Sequence, residues 1–371
     1  MAKTVVILGG SYAGLHVAHA LLKKNDKDLK VILVAQNSHF YWNMASIRAI
    51  LPEVLKPEDL FKPLETILKK YPETAYELVV GSATATDFEG KSVRVVTASG
   101  ERSIAYDQLV LATGARTPTS DVPWKAPGTY EEVTALLAST ADKIKAASHI
   151  VIAGGGSTGV ELAGELGYEY GKTKEIILIN ATDKLLGGDS VANAAANELK
   201  KLKVTVKYGA RADAANPSAA DPSKIDVVLS NGETITTDLY LPTTGLVPNS
   251  EYVDAKYLNA NKTIKVTDTL LVEGTTNVWA AGDVVSKPRA GFMIAQKQAA
   301  AVAKNIELTN AGKPALVAKG MPVDVLFAAV GRGRGVGRAG PVKFPSFLVW
   351  LAKGKQLGLN MIGGYVDGSV A

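Results

Sequence analysis

Two apolar, β-branched runs of the chain each end in a cluster of glycines. Residues 4–8 (TVVIL) lead into GGSYAG at 9–14, and residues 149–153 (HIVIA) lead into GGGSTGVE at 154–161. Continuous apolar runs of this length predict parallel strands that are buried on both faces. A helix opens after each glycine cluster. The pattern therefore predicts two strand–turn–helix units of the kind that binds dinucleotides.

The rest of the chain repeats this alternation of strands and helices. The proline-rich segment 118–127 predicts a linker, and the alanine-rich segment 291–305 predicts a helix. The sequence thus predicts an α/β fold with two Rossmann-like, doubly wound, three-layer domains. Other apolar runs predict further buried strands, at residues 31–34, 109–111, 176–179, 239–241 and 278–280. An antiparallel hairpin is predicted at residues 91–106, between the first two of these strands.

The second glycine cluster contains the pattern G-x-G-x-x-G at Gly154, Gly156 and Gly159. These glycines suit a tight turn, a close approach of the backbone to a pyrophosphate and close helix–strand packing. The following helix offers free N–H groups and a positive dipole end to the phosphates. In the first cluster Ser11 takes the middle position, where its N–H and hydroxyl can still reach a phosphate. A purely structural turn is the alternative, but the flanking strand and helix favour nucleotide binding.

Polar residues follow the strands at which a ribose-binding carboxylate is expected. Gln36 and Asn37 follow the strand predicted at residues 31–34. They are equally compatible with a hydrogen bond to a ribose and with a polar turn that binds nothing. Asn180 takes the corresponding position in the second unit. Because no acid is present there and Lys184 lies nearby, the choice between NADH and NADPH stays open. Asp283, which follows Gly282 at a strand end, is expected beside the sugar-like chain of a nucleotide.

The composition sets limits on the chemistry. The 371 residues carry a formal net charge of +5 and include no cysteine. The absence of cysteine excludes structural disulfides, thiolate metal sites, iron–sulfur clusters and a dithiol redox relay. The four histidines do not form a metal-ligand set, so no metal site is predicted. The mild positive charge favours an anionic partner without choosing between a nucleotide, an acidic lipid surface and nucleic acid.

The N-terminal apolar run is interrupted by glycines, so a strand explains it better than a signal peptide. No apolar run approaches the ~20 residues of a membrane span. Ala2 stands where N-myristoylation requires glycine. We therefore expect a soluble, cytoplasmic protein.

Four motifs, in this order along nearly the whole chain, resemble the two-dinucleotide-binding flavoproteins: GGSYAG, LATG, GGGSTGVE and AAGD. The segments 40–49 and 331–337 are similar to the ferroptosis suppressor and apoptosis-inducing-factor-like branch, with type II NADH dehydrogenases as wider relatives. The resemblance implies FAD as cofactor and NADH or NADPH as electron donor. It also implies an FAD-binding domain at 1–117 and 245–312, an inserted NAD(P)H-binding domain at 118–244 and a C-terminal α+β cap domain at 313–371.

The resemblance further implies the roles of individual residues. Glu161 is implied to lie near the nicotinamide and the flavin, Asp283 to bind the ribityl chain, and Ala83 to contact adenine through its backbone. Arg48 is implied to contact FAD, and Gln298 to lie on a helix that presents its N-terminal end to the flavin. The other implied FAD residues are Gly9, Gly10, Ser11, Ala13, Gly14, Gln36, Asn37, Ala112, Thr113, Gly114 and Gly282. The other implied NAD(P)H residues are Gly154, Gly156, Thr158, Gly159, Asn180 and Gly245.

The expected reaction is hydride transfer from NAD(P)H to flavin N5. Because the chain has no cysteine, the electrons must then leave directly, and a quinone or another small acceptor is favoured by the resemblance. One alternative is a reductase of a ferredoxin-like carrier. Another is an apoptosis-inducing-factor-like binding protein, with a structural flavin and a basic surface for nucleic acid. Nucleic-acid binding by the short segment GRGRGVGRAG (331–340) is disfavoured, since strands flank it.

The sequence allows two interpretations of Glu161 and two of the apolar segment 347–351. Glu161 is either a proton-handling group or a capping residue at a helix start. The apolar segment 347–351, flanked by lysines, forms either a buried docking surface or a peripheral contact with a membrane, such as a mitochondrial or lipid-droplet surface. The sequence leaves the oligomeric state open.

Overall fold

The fold joins two sheets whose central strands are parallel, and a C-terminal hairpin packs against the helices of the second unit. A computed structural model describes residues 2–52, 54–125, 128–285 and 287–371. Residues 126 and 127 of the predicted linker lie outside the described residues. Within the described part of the chain, no helix is long and apolar enough to cross a membrane.

The first part of the chain forms most of the larger sheet. Its elements are β1 (Lys3–Leu8), α1 (Tyr12–Leu22), β2 (Leu29–Ala35), β3 (His39–Tyr41), α2 (Ser46–Ala49), α3 (Pro57–Leu60), β4 (Phe61–Pro63), α4 (Leu64–Leu68), β5 (Tyr76–Asp87), β6 (Ser92–Thr97), β7 (Gly100–Ala105), β8 (Gln108–Leu111) and β9 (Ala115–Arg116).

The middle part forms the second sheet and a small antiparallel sheet. Its elements are α5 (Tyr130–Ala146), β10 (His149–Ala153), α6 (Ser157–Tyr170), β11 (Glu175–Asn180), α7 (Ala192–Lys201), β12 (Val204–Tyr208), β13 (Ala212–Pro217), β14 (Ile225–Leu229), β15 (Thr234–Thr237) and β16 (Leu239–Pro242). Helix α5 begins at a capping box, in which Thr129 Oγ1 accepts from the Glu132 N–H while Glu132 accepts from the Thr129 N–H.

The last part returns to the first sheet and then forms the hairpin. Its elements are β17 (Val247–Pro248), β18 (Val278–Ala280), α8 (Phe292–Asn310), β19 (Val325–Val330), β20 (Arg334–Ala339), β21 (Val342–Lys343), α9 (Ser346–Val349) and α10 (Ile362–Val366). A π-helical segment, Trp350–Gly354, continues α9.

The first sheet has the strand order β18-β8-β1-β2-β5-β6-β7. Strand β1 lies parallel to β2 and β8, with Val5 opposite Val31 and Ile7 opposite Val110. Its apolar residues Val5, Val6 and Ile7 are fully buried, as expected for a central parallel strand. Strand β5 is long enough to pair with β2 at its start and with β6 beyond it, which adds the antiparallel strands β6 and β7.

The second sheet has the order β12-β11-β10-β16, and all of its strands are parallel. They all fall between β8 and β18 in sequence, so this unit is inserted into the first. The predicted α/β fold with two Rossmann-like domains and a C-terminal domain is confirmed. The numerical domain boundaries stay a prediction.

Candidate functional site

A cavity of about 1790 Å³ opens at the carboxyl ends of β1, β2 and β8 and extends to α6, the start of α8 and the C-terminal segments. A site for one drug-sized ligand has about 300–1,000 Å³, so this cavity has room for more than one ligand. The predicted FAD residues that line it are Gly9, Gly10, Ser11, Ala13, Gln36, Asn37, Ala83, Ala112, Thr113, Gly114, Gly282, Asp283 and Gln298. The predicted NAD(P)H residues that line it are Thr158, Glu161 and Gly245.

The first glycine turn has the shape that a pyrophosphate requires. Gly9 has φ +115°, and a Cβ on it would lie 2.3 Å from the carbonyl oxygen of Ala112. A Cβ on Gly14 would lie 1.8 Å from the Gly9 carbonyl oxygen, so this glycine permits the close packing of α1 on the turn. Ser11 caps α1 without a side-chain hydrogen bond to the helix. The first amides of α1 therefore stay available to an anion, and the turn fits the FAD pyrophosphate.

The second turn repeats this geometry. Gly154 has φ +111°, and a Cβ on Gly159 would lie 1.7 Å from the Gly154 carbonyl oxygen. Gly156, which precedes α6, differs because a Cβ on it would meet nothing within 4 Å. The backbone is therefore open at the position where a nucleotide phosphate would approach. These three glycines do not line the large cavity, which α6 reaches through Ser157, Thr158 and Glu161.

Asn180 lies at the predicted position, but its amide is engaged within the protein. The side chain is 6% exposed, and its Nδ2 donates to the Thr182 and Lys184 carbonyl oxygens at 2.8 and 3.0 Å. A Cβ on Gly155 would lie 2.1 Å from Asn180 Oδ1, which places the amide directly beneath the glycine turn. Asn180 therefore supports the turn, and its predicted contact with NAD(P)H stays a prediction.

Arg48, which is predicted to contact FAD, does not line the cavity, and that contact stays a prediction. Its guanidinium is buried and donates to Glu165 on α6 and to the carbonyl oxygens of Gly354 and Lys355. These bonds hold the Arg48 guanidinium between α6 and the C-terminal segment. Sequence reasoning missed Glu165 as its partner.

Asp283 and Gln298 organise the start of α8. Asp283 Oδ1 accepts from the Gly291 N–H at 3.0 Å, and its Oδ2 lies 2.6 Å from Lys125 Nζ. Gln298 is 8% exposed; its Oε1 accepts from the Gly282 N–H, and its Nε2 donates to the Lys287 carbonyl oxygen. Gln298 thus fixes the loop that carries Asp283 in the cavity wall. Lys125 was not predicted as a site residue.

Gln36, Asn37 and Ala83 line the part of the cavity that is formed by the end of β2 and by β5. Asn37 Oδ1 accepts from the His39 N–H at 2.9 Å, while its buried Nδ2 has no hydrogen-bond partner among the described residues. An unsatisfied buried donor at a cavity wall is the kind of group that a ligand oxygen satisfies. The ribose contact of Gln36 or Asn37 stays a prediction.

Glu161 lies in the cavity wall and is paired with a lysine from the C-terminal segment. Lys353 Nζ lies 2.6 Å from Glu161 Oε1, which also accepts from the Ala329 N–H at 3.0 Å. Lys353 lines the cavity too, and it donates to the Phe327 carbonyl oxygen. In the sequence, Lys353 stands out only as a flank of an apolar segment. Nothing local connects it with Glu161, 192 positions earlier.

Two further polar groups shape the cavity. Burial raises the pKa of Tyr12 well above its ordinary value, so the phenol stays neutral and donates to Asn43 Oδ1. At another part of the wall, hydrogen bonds from Arg289 and Arg338 lower the pKa of Asp324, which stays a carboxylate. One ion pair between the start of the hairpin and the loop before α8, Asp324 with Arg289, therefore borders the cavity.

Comparison with known proteins agrees with this geometry. Residues 3–310 match the family model described as pyridine nucleotide-disulphide oxidoreductase. The oxidoreductase ptaL of Pestalotiopsis fici is 36% identical over 99% of this chain and 100% of its own length. Ferroptosis suppressor protein 1 of Xenopus tropicalis is 27% identical over 95% of this chain and 93% of its own length.

A solved structure shows a likeness in fold at lower sequence identity. The sulfide:quinone oxidoreductase of Aquifex aeolicus is 19% identical, with a TM-score of 0.77 over 99% of this chain and 92% of that one. The two glycine turns, the shared cavity and these similarities lead to one conclusion. The chain belongs to the pyridine nucleotide-disulphide oxidoreductase family and is an FAD-dependent oxidoreductase with NADH or NADPH as its electron donor.

Proposed function

We propose that the chain is an NAD(P)H:quinone oxidoreductase of the ferroptosis-suppressor-like branch, which passes electrons from the flavin to the acceptor without a cysteine relay. Bound FAD would supply a two-electron carrier that is reduced by hydride from NAD(P)H. The observation that carries the proposal is the cavity itself. Its lining comes from three parts of the chain: the predicted flavin turn, the inserted unit (Thr158 and Glu161) and the C-terminal segment. The chain contains no cysteine.

The C-terminal part of the cavity supports an apolar acceptor. Met293, Met321, Leu326, Phe327 and Met361 contribute to its lining. Apolar walls with a few polar groups suit a flat, lipophilic ring that must come close to a flavin. A quinone has this chemistry, and the name of the Aquifex aeolicus structural relative includes a quinone as a substrate.

An exposed apolar strip next to this region supports a peripheral contact with a membrane. Phe347, Leu348 and Leu351 are 57%, 40% and 58% exposed, and Lys353 and Lys355 follow them in sequence. Exposed apolar side chains beside cations suit the interface of a bilayer, in which lipophilic quinones are dissolved. This arrangement also counts against the alternative that the whole segment is buried.

Quinone reduction takes up two protons, and the Glu161–Lys353 pair supports their delivery. The pair contains a carboxylate and an ammonium group at 2.6 Å in the cavity wall. Lys353 can donate one proton towards an acceptor in the cavity and regain it from solvent, while the Glu161 carboxylate holds the ammonium group in place. We assign proton handling to this pair and retain Glu161 as the catalytic candidate.

The proposal is tested by the visible spectrum of the flavin-loaded protein without oxygen. NADH or NADPH should bleach the flavin absorbance. A soluble quinone should then restore the absorbance at least as fast as the enzyme turns over in the steady state. If a ferredoxin-like carrier restores the absorbance and quinones do not, the acceptor is a protein. If neither nucleotide bleaches the flavin, the flavin is structural and the enzymatic proposal fails.

A further inference from the structure

Arg48 and Glu165 form an ion pair that is buried far more deeply than the other ion pairs of the described residues. Their side chains are 5% and 0% exposed. Arg48 lies on α2, and Glu165 lies on α6 of the inserted unit. Arg48 Nε and Nη2 approach the same oxygen, Glu165 Oε1, at 3.0 and 2.5 Å. A pair of this kind holds its two helices in one orientation. Both charges are buried away from water, and moving the helices apart would leave each charge without its compensating partner.

The same guanidinium also holds the C-terminal segment. Its Nη1 donates to the Lys355 carbonyl oxygen at 3.0 Å, and its Nη2 donates to the Gly354 carbonyl oxygen at 2.8 Å. Glu165 Oε2 accepts from Arg332 of the loop between β19 and β20 at 3.4 Å. Three separate parts of the chain therefore meet at one arginine.

The network continues along α6 to the cavity. Glu161 lies one turn before Glu165 and on the same helix face. It binds Lys353, which directly precedes the carbonyl groups held by Arg48. Further along the helix, a Cβ on Gly164 would lie 2.7 Å from the Gly331 backbone nitrogen, so α6 packs tightly on the end of β19. The N-terminus of this helix is the proposed NAD(P)H phosphate site.

We propose that Arg48 is a positioning residue for hydride transfer: it fixes α6, and the NAD(P)H bound at its N-terminus, at the correct distance from the flavin. Arg48 does not line the cavity, so it acts through Glu165 and the segment that carries Lys353. The step moves one hydride from the reduced nicotinamide, which becomes NAD(P)⁺, to the flavin. Hydride transfer depends on contact distance, and a displacement of about 1 Å can cost about 10²-fold in rate.

The inference concerns only the reductive half-reaction and does not depend on a quinone as the acceptor. Its test therefore uses no acceptor. Rapid mixing of the flavin-loaded protein with NAD(P)H, without oxygen, gives the limiting rate of flavin reduction and the apparent Kd of the nucleotide. Protiated and 4-deuterated nucleotides report whether hydride transfer limits that rate.

The main variant is the double substitution Arg48→Met and Glu165→Met, because Arg48→Met alone would leave a buried carboxylate without its main partner. Arg332 keeps its ion pair with Glu169 at 2.7 Å. The double variant should retain its FAD content and its nucleotide Kd, while the limiting rate falls about 10- to 100-fold with a larger deuterium effect. Arg48→Lys, with Glu165 intact, should recover part of the rate because the charge remains.

Lys224→Met is the control. Lys224 Nζ lies 3.0 Å from Asp238 Oδ1, and their side chains are 42% and 26% exposed, so this ion pair of the inserted unit is only partly buried. Neither residue lies on α6 or lines the cavity. The control should leave the limiting rate unchanged. The proposal is overturned if the double variant reduces its flavin at the wild-type rate, if it loses FAD, or if Lys224→Met slows reduction equally.

Discussion

Gly156 and Gly159 belong to one turn, yet each has its own physical reason to be glycine. A Cβ on Gly159 would lie 1.7 Å from the Gly154 carbonyl oxygen, whereas a Cβ on Gly156 would lie more than 4 Å from every other described residue except its two chain neighbours. The backbone at Gly156 has φ −74°, which other residues also adopt. Folding therefore requires glycine at 159, and only a ligand can require it at 156.

This difference predicts opposite effects of two alanine substitutions. Gly156→Ala should leave the melting temperature and FAD content unchanged and weaken NAD(P)H binding about tenfold or more, which is about 1.4 kcal/mol. Gly159→Ala should destabilise the protein by about 1–3 kcal/mol, because the turn must shift to admit the methyl group. Thermal unfolding and nucleotide titration separate the two effects. If Gly156→Ala bound NAD(P)H as tightly as the unsubstituted protein, the nucleotide phosphate would not bind at this turn.

At the scale of the element, α1 is unusual in that it carries two buried histidines. Burial lowers the pKa of both His16 and His19 to about 4. His19 bonds to Tyr71 Oη through Nδ1 and to the Tyr365 carbonyl oxygen through Nε2, both at 2.7 Å. The helix is therefore joined to the C-terminal segment by a histidine that must stay neutral.

These depressed pKa values predict a loss of stability in acid. The unfolded chain binds a proton at each histidine near pH 6.5, whereas the folded chain does so only near pH 4. Above pH 6.5 the two histidines therefore cost the folded protein no stability. As the pH falls from 6.5 towards 4, the free energy of unfolding decreases progressively. At pH 5 each histidine should cost about 2 kcal/mol.

Urea unfolding at pH 7.5 and pH 5 measures this loss. His16→Leu keeps an apolar side chain in a buried position and leaves the His19 bonds intact. It should remove about half of the histidine-dependent difference between the two pH values. An equal pH dependence in His16→Leu and the unsubstituted protein would exclude His16 as a source of the acid sensitivity.

For the whole molecule, an aromatic cluster joins the C-terminal segment to the first sheet. Tyr365 is fully buried and stacks on Phe40, with ring centroids 4.8 Å apart. Tyr12, Trp42 and Phe292 surround the same ring. Apolar packing thus fixes the C-terminal segment from one side, while ion pairs to α6 fix it from the other.

Tyr365→Ala should therefore destabilise the protein by about 3–5 kcal/mol, through lost burial and the cavity that remains. Because α10 carries this residue, the C-terminal segment should become sensitive to limited proteolysis before the rest of the chain. Phe347→Ala is the matched control, since Phe347 is 57% exposed, and it should change neither property. Equal proteolysis of both variants would mean that the cluster does not hold the segment.

The sequence predicted the features that depend on near neighbours. The strands at 4–8 and 149–153, the two turns and their helices follow from apolar runs and glycine spacing, because a turn is defined by the φ angles and contacts of a few consecutive residues. The helix predicted at 291–305 spans Phe292–Asn310 and packs against α1. The lack of cysteine likewise limits the chemistry through composition alone, because no fold can supply a thiol that the chain does not contain.

The partners of charged side chains were decided by tertiary structure alone. Arg48 lies 117 positions from Glu165, and no local pattern distinguishes an arginine that binds a phosphate from one that is buried against a carboxylate. The same holds for Lys353 with Glu161 and for the amide of Asn180 beneath its turn. Glycine acts through its own backbone and can be identified from the sequence. A charge acts through whatever the fold brings within a few ångströms of it, and only the folded chain determines that.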